Sequence, residues 1–267
     1  MTNPAYARDV LQWHIDAGVD ETIGAAPVNR FDLATAPVSP SSSPSVPQHS
    51  SPPPTRPADK PLAPSGEEAV KSAYELAEKA TSVDELRQAL EMFDGCALKK
   101  TATNLVFCNG NPKARLMFVG EAPGAQEDRQ GEPFVGPSGT LLDKMRASIG
   151  IKRTDVLVAN TVFWRPPGNR TPTLQETAVC MPFMERLIEL VDPDVLVTLG
   201  GPAAKALLGE TQGVGRLRGR WFTYETARMS HPIDATAMFH PAYLLRTPSQ
   251  KRVAWQDLLS IQDKLSG

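Results

Sequence analysis

Short, wholly apolar runs punctuate the chain, separated by longer amphipathic segments. Leu116-Met117-Phe118-Val119, Val156-Leu157-Val158-Ala159 and Val195-Leu196-Val197-Thr198-Leu199 show no alternation of polar and apolar positions. Runs of this kind are the mark of strands buried on both faces of a parallel sheet. Thr236-Ala237-Met238-Phe239 reads as a fourth. Helical periodicity fills 67–93, where two helices fit, and also 138–149, 174–191, 202–208 and 249–264. Strands alternating with helices predict an α/β fold, three-layer α/β/α, with a central four-stranded, mainly parallel sheet. In such sheets ligands bind beyond the carboxyl ends of the strands. The residues that follow each apolar run are therefore the first place to look for chemistry.

The periodicity changes character toward the N-terminus. Residues 5–18 place Val10, Leu11, Trp13 and Ile15 among polar neighbours, which predicts a short helix closed near Gly18. Alone it is too short to be stable, so it is expected to dock on the main body through Trp13. His14 reads as a surface or packing residue. Ten of the 25 prolines fall between Pro37 and Pro64, in a stretch nearly free of large apolar side chains. Such a segment cannot bury enough surface to offset its ordering entropy. The expected organisation is an N-terminal helical segment over 1–33, a disordered Pro/Ser-rich linker over 34–66, and a main domain over 67–267.

Composition narrows the class of protein. The 267 residues include three cysteines in no framework spacing, which excludes a disulfide scaffold and suggests a reducing, cytoplasmic setting. No run of apolar residues is long enough to cross a membrane, and the first residues lack a basic start followed by an apolar stretch. The 28 Lys+Arg nearly balance the 30 Asp+Glu, which excludes a bulk polycation but not a local basic face. Residues 205–267 tilt basic, with nine Lys/Arg against five Asp/Glu.

Candidate chemistry gathers at the strand ends. The first run leads into Gly120-Glu121-Ala122-Pro123-Gly124-Ala125-Gln126-Glu127-Asp128, a tight turn carrying three carboxylates. Gly131 to Gly139 follows, with Phe134 isolated among Gly and Pro. That is an odd place for a core residue and a suitable one for a stacking platform. The second run ends at Asn160, whose amide offers both donor and acceptor, either to a ligand edge or to a turn. Its loop carries Arg165 and Arg170 around a rigid Pro166-Pro167 pair. The fourth run ends at His240, followed by Leu244, Leu245 and Arg246. The two leucines are either core or a wedge of the kind that unstacks bases. Arg216, Arg218 and Arg220 alternate in a Gly-rich loop suited to phosphates. The GxG there follows no strand in the right register, which disfavours a dinucleotide fingerprint.

In this order, four segments resemble the uracil-DNA glycosylase superfamily, and most closely its family 4. They are GNPKARLMFVGEAPGAQEDRQGEPFVGPSGTLLD (110–143), NTVFWRPPGNRTPT (160–173), DPDVLVTLGGPAAKALLG (192–209) and HPAYLLR (240–246). The resemblance implies a monofunctional glycosylase that flips uracil out of single- or double-stranded DNA and hydrolyses its N-glycosidic bond. Free uracil is the product, and the protein is expected to act as a monomer away from membranes. It implies that Phe134 stacks on the base, Asn160 reads its polar edge, and Ala122 lines the uracil pocket where some branches place an Asp. It implies that His240 donates to the leaving base and that Glu121 orients or activates water, with Glu127 and Asp128 as the next catalytic candidates. Arg165, Arg170, Arg216, Arg218, Leu244, Leu245 and Arg246 are expected to contact DNA.

The chain departs from family 4 in its cysteines. The resemblance implies a [4Fe–4S] cluster on four thiolates, yet two ligand positions hold Phe93 and Trp164, and only Cys96 and Cys180 remain. Cys108 falls where the family usually has Gly. No cofactor is therefore expected, with Phe93 and Trp164 packed into the space. The alternatives are a uracil-DNA binding or covalent-capture protein, disfavoured because the 165–173 loop has no His, and a glycosylase for another damaged base, disfavoured by Asn160.

Overall fold

The computed structural model describes residues 66–266. The segment read as 1–33, with Trp13 and His14, lies outside the described residues, as does the linker up to residue 65. The described chain contains helices α1 (Gly66–Lys79), α2 (Val83–Met92), α3 (Ala125–Gln130), α4 (Pro137–Ala147), α5 (Leu174–Val191), α6 (Gly201–Leu208), α7 (Val214–Leu217), α8 (Pro241–Arg246) and α9 (Lys251–Ser266). Its strands are β1 (Cys108–Gly110), β2 (Leu116–Gly120), β3 (Val156–Asn160), β4 (Val195–Leu199), β5 (Trp221–Tyr224) and β6 (Ile233–Met238).

The sheet runs in the order β1-β3-β2-β4-β6-β5. The four apolar runs form its parallel centre, β3-β2-β4-β6. Two short antiparallel edges extend it to six strands. The edges left little trace in the sequence. Cys108-Asn109-Gly110 is too short and polar to stand out, and Trp221 to Tyr224 is only partly buried. The inner runs lack alternation because both sides are covered. Met117, Val119, Leu157 and Ala159 pack toward the cluster holding Leu86, Leu90, Phe183 and Leu187 of α2 and α5. Leu116, Phe118, Val156 and Val158 pack toward Leu142, Leu258 and Ile261 of α4 and α9. The period-two strand geometry survives as a choice of face rather than of polarity.

Register sets where the loops emerge. Gly120 pairs with Asn160, so the turn after β2 and the end of β3 lie level. Leu199 pairs with Met238, and the Gly200 N–H donates to the Met238 carbonyl at 2.8 Å. This brings Gly200 beside His240. Gly200 has φ of +94°, and a Cβ there would come within 3.3 Å of the His240 Cβ. Helix α5 begins with a capping box, in which the Thr173 hydroxyl accepts from the Glu176 N–H and the Glu176 carboxylate accepts from the Thr173 N–H.

Candidate active site

A cavity of about 820 Å³ opens at the carboxyl ends of β2, β3, β4 and β6. Glu121, Ala122, Phe134, Asn160 and His240 all line it. Each is fixed by its place in the chain. Asn160 ends β3 and is buried. Glu121 follows β2 directly. His240 is the N-cap of α8, and its Nδ1 accepts a hydrogen bond from the Ala242 backbone N–H at 3.1 Å. That bond leaves the single proton of a neutral ring on Nε2, so the ring can donate from there. Burial, reinforced by the Arg246 charge and opposed by Glu127, holds the His240 pKa down at about 4. The imidazole is thus neutral at physiological pH. Its donor is a dipole rather than a cation.

Phe134 adopts φ of +56°, an uncommon conformation for a bulky residue. The surroundings impose it. Arg153 donates to the Pro133 carbonyl at 3.1 Å and the Phe134 carbonyl at 3.5 Å, and is itself held by Asp143 at 3.0 Å and Asn109 at 3.1 Å. On the other side, Gly139 packs so closely that a Cβ there would sit 1.7 Å from the Phe134 carbonyl oxygen. The result is a nearly buried phenyl ring stacked toward His240, with centroids 5.9 Å apart and planes 28° from parallel.

The carboxylates divide by environment. Glu121 is half-buried, and its Oε1 has no hydrogen-bond partner among the described residues. Burial raises its pKa, while a hydrogen bond from the Thr171 side chain works against the rise. A buried, incompletely satisfied carboxyl in a cleft is a functional candidate on physical grounds. Glu127 also lines the cavity, with its Oε1 accepting from the Gly136 N–H at 2.8 Å. Asp128 is turned elsewhere. It accepts from the Thr103 and Asn104 N–H groups at 2.8 and 3.1 Å and from the Thr103 hydroxyl at 3.0 Å. Those bonds tie the chain before β1 to α3, and Asp128 does not line the cavity.

The basic and apolar candidates divide as well. Arg170 lines the cavity while pairing with Glu176 at 2.7 Å, which fixes the loop between β3 and α5. Arg165 is half-buried and donates to Asn169 at 2.7 Å. Arg216 and Arg246 are exposed, and Arg246 lines the cavity. Arg218 is instead bound into the core margin, donating to Asp257 at 2.6 Å and to the Val253 carbonyl at 3.0 Å. Leu244 is buried in the core, while its neighbour Leu245 is 43% exposed. Sequence reasoning passed over Thr171, Tyr243 and Arg153. Thr171 and Tyr243 line the cavity, and Arg153 buttresses it from behind.

The four positions that the family resemblance assigns to cluster ligands, Phe93, Cys96, Trp164 and Cys180, are all buried in one hydrophobic cluster. They supply two thiols, a phenyl and an indole. Phe93 packs on Phe183 with ring centroids 5.1 Å apart, and Trp164 meets Phe163 edge-on at 6.4 Å. Cys96 and Cys180 are hydrogen-bonded to each other, which lowers the pKa of Cys96 and, with burial, raises that of Cys180 well above its ordinary value. Burial pushes Cys108 up to about 12. Among the described residues no group of three or more His, Cys, Asp or Glu side chains is placed to hold a metal. Two thiols do not meet the four-ligand requirement of the cluster, so these residues do not fit it.

Taken together, a buried amide, an aromatic platform and a neutral imidazole donor around one strand-end cavity define a pocket for a flat heterocycle with polar edges. The comparisons with known proteins agree with that class. The family model for the uracil DNA glycosylase superfamily matches residues 107–259. The type-4 uracil-DNA glycosylase of Archaeoglobus fulgidus is 39% identical over 184 residues, covering 67% of this chain and 92% of that protein. The type-4 enzyme of Thermotoga maritima is 40% identical over 166 residues, covering 61% and 84%. The chain belongs to the uracil-DNA glycosylase superfamily.

Proposed function

We propose that the protein is a monofunctional DNA repair glycosylase that removes uracil from DNA and leaves an abasic site. The observation that carries this reading is the convergence of Phe134, Asn160, His240 and Glu121 on one cavity at the strand ends. A base inside a duplex is out of reach of such a cavity, so the nucleotide must be flipped out of the stack. Phe134 then stacks on the uracil ring. The Asn160 amide pairs with the uracil edge, where the order of donor and acceptor differs from cytosine. As the bond from C1′ to N1 breaks, its electron pair stays with the base, and negative charge spreads to O2. The His240 Nε2–H donates to that oxygen. A preorganised donor of this kind lowers the barrier by roughly 3 kcal/mol. Glu121 orients the water that adds to C1′ and takes its proton. Glu127, beside His240, tunes the imidazole.

The substrate is uracil-containing DNA, and free uracil is the product. Arg165, Arg170, Arg216, Arg246 and the exposed Leu245 face the DNA. The protein works as a monomer in the cytoplasm. Among the described residues no helix is long and apolar enough to cross a membrane. Residues 67–267 form the catalytic domain, with 1–33 and 34–66 as an appended segment and its linker. No iron–sulfur cluster takes part, a reading supported by Phe93 and Trp164 at two of its four ligand positions.

The test is incubation with oligonucleotides carrying one uracil, followed by alkali. Strand cleavage at that position is expected from the wild type and not from an Asn160→Ala variant. Intact strands from the wild type would sink the glycosylase reading, and a denaturation-resistant protein–DNA adduct would indicate capture instead. Purified protein should be colourless and hold iron well below one atom per chain. A brown protein with stoichiometric iron would overturn the cofactor reading.

A further inference from the structure

A second depression, of about 530 Å³, is lined by Val135, Pro137, Leu141 and Leu245 together with Lys144 and Lys251. Its apolar floor is bordered by two exposed lysines and by no carboxylate. Among the described residues the ion-paired lysines are Lys99 and Lys264, so neither Lys144 nor Lys251 is neutralised by a carboxylate. Leu245 is one of the few large apolar side chains left exposed. Uncompensated cations around an apolar surface match a nucleic-acid strand, which offers phosphates on one side and bases on the other.

This depression is built from the same elements as the cavity. The segment Gly136–Ser138 forms the rim between them, with Ser138 lining the cavity and Pro137 lining the depression. Helix α8 spans both, with His240 at its N-cap and Leu245 near its other end. A flipped nucleotide remains covalently joined to its neighbours. Its own strand therefore continues over an edge of the cavity, of which Gly136–Ser138 is the one this depression adjoins, whereas the complementary strand need not approach it. We propose that the depression is a binding site for the continuation of the uracil-bearing strand, with Lys144 and Lys251 each neutralising a phosphate and Leu245 meeting a base face. This rests on the glycosylase reading for the identity of the strand.

The experiment measures binding rather than turnover. Fluorescence anisotropy is recorded across a salt series for single-stranded and duplex oligonucleotides carrying non-hydrolysable 2′-fluoro-deoxyuridine. Wild type is compared with Lys144→Ala, Lys251→Ala and the double variant. Both lysines are exposed, so circular dichroism should show unchanged folding. Each single variant should reduce the slope of log K against log salt by about 0.7 on single strands and about 0.9 on duplex. The double variant should lose the sum. An unchanged slope in the double variant would overturn the proposal. So would a slope that falls on duplex alone, which assigns the lysines to the complementary strand. A wild type that shows the expected slopes yet cleaves no uracil would keep this site and sink the glycosylase reading.

Discussion

In the proposed mechanism His240 has two separable tasks, and a pair of substitutions pulls them apart. Its Nδ1 caps α8 by accepting from the Ala242 N–H, while its Nε2–H is left to the pocket. His240→Ala removes both. Loss of an N-cap costs about 1 kcal/mol, which for a domain of this size lowers Tm by roughly 2–4 °C. Loss of a preorganised donor costs about 10²- to 10³-fold in kcat, or about 2.7–4 kcal/mol. His240→Asn restores an acceptor of the best capping type without placing a ring N–H in the pocket. Differential scanning calorimetry should show Asn close to wild type and Ala below it. Single-turnover cleavage of a uracil oligonucleotide should show both variants slow by the same factor. If Asn recovers the rate along with the Tm, His240 acts as a cap alone. If Ala keeps its rate within tenfold, the imidazole is not the donor to the leaving base.

The same residue sets a pH dependence. The folded-state pKa of about 4 lies below the ordinary 6.5, so between those values the unfolded chain binds a proton that the folded chain does not. Stability is therefore complete above pH 6.5 and falls as pH drops toward 4, by up to about 3 kcal/mol. Urea midpoints at pH 7 and pH 4.5 should show this slope, and His240→Asn should remove that part of it. Arg218→Ala leaves Asp257 buried without its partner and should cost about 3–5 kcal/mol. Arg216→Ala should stay within about 0.5 kcal/mol of wild type and instead weaken DNA binding, a contrast read by pairing denaturation with anisotropy. Gly139→Ala drives a Cβ into the Phe134 carbonyl. It should raise KM for uracil oligonucleotides and lower kcat beyond what the loss of folded protein at the assay temperature accounts for; wild-type kinetics would refute the platform role. Phe93→Ala should cost about 3–5 kcal/mol, and prolonged chelation should leave wild-type Tm and activity unchanged.

The sheet centre was legible because burial on both faces leaves nearly unbroken apolar runs. Its edges were not, since a three-residue strand such as Cys108–Gly110 is specified by its neighbour β3 rather than by its own residues. The cavity was legible for a similar reason. Parallel strands end level, so Glu121, Asn160 and His240 had to emerge on one side of the sheet once the strands were placed. Thr171 and Arg153 escaped notice because their roles depend on partners distant in sequence, Glu121 and the Pro133–Phe134 carbonyls.

Orientation is what the sequence withheld. Leu244 and Leu245 are adjacent, yet successive residues of a helix point about 100° apart, so one fills the core and the other faces out. Arg216 and Arg218 look interchangeable in a Gly-rich loop, yet the buried carboxylate of Asp257 claims only the second. Asp128 stands beside Glu127, and the Thr103–Asn104 backbone draws it away from the cavity. Residue type alone, by contrast, settles what a side chain can never do. A phenyl or an indole offers no thiolate in any rotamer, so Phe93 and Trp164 count against an iron–sulfur centre whatever their orientation. Their tight burial adds the physical counterpart. A domain that fills those positions with packed aromatic rings gains apolar burial where a metal centre would cross-link the chain. In the cluster-free reading the aromatic pair and the metal centre are thus alternative answers to the same structural problem.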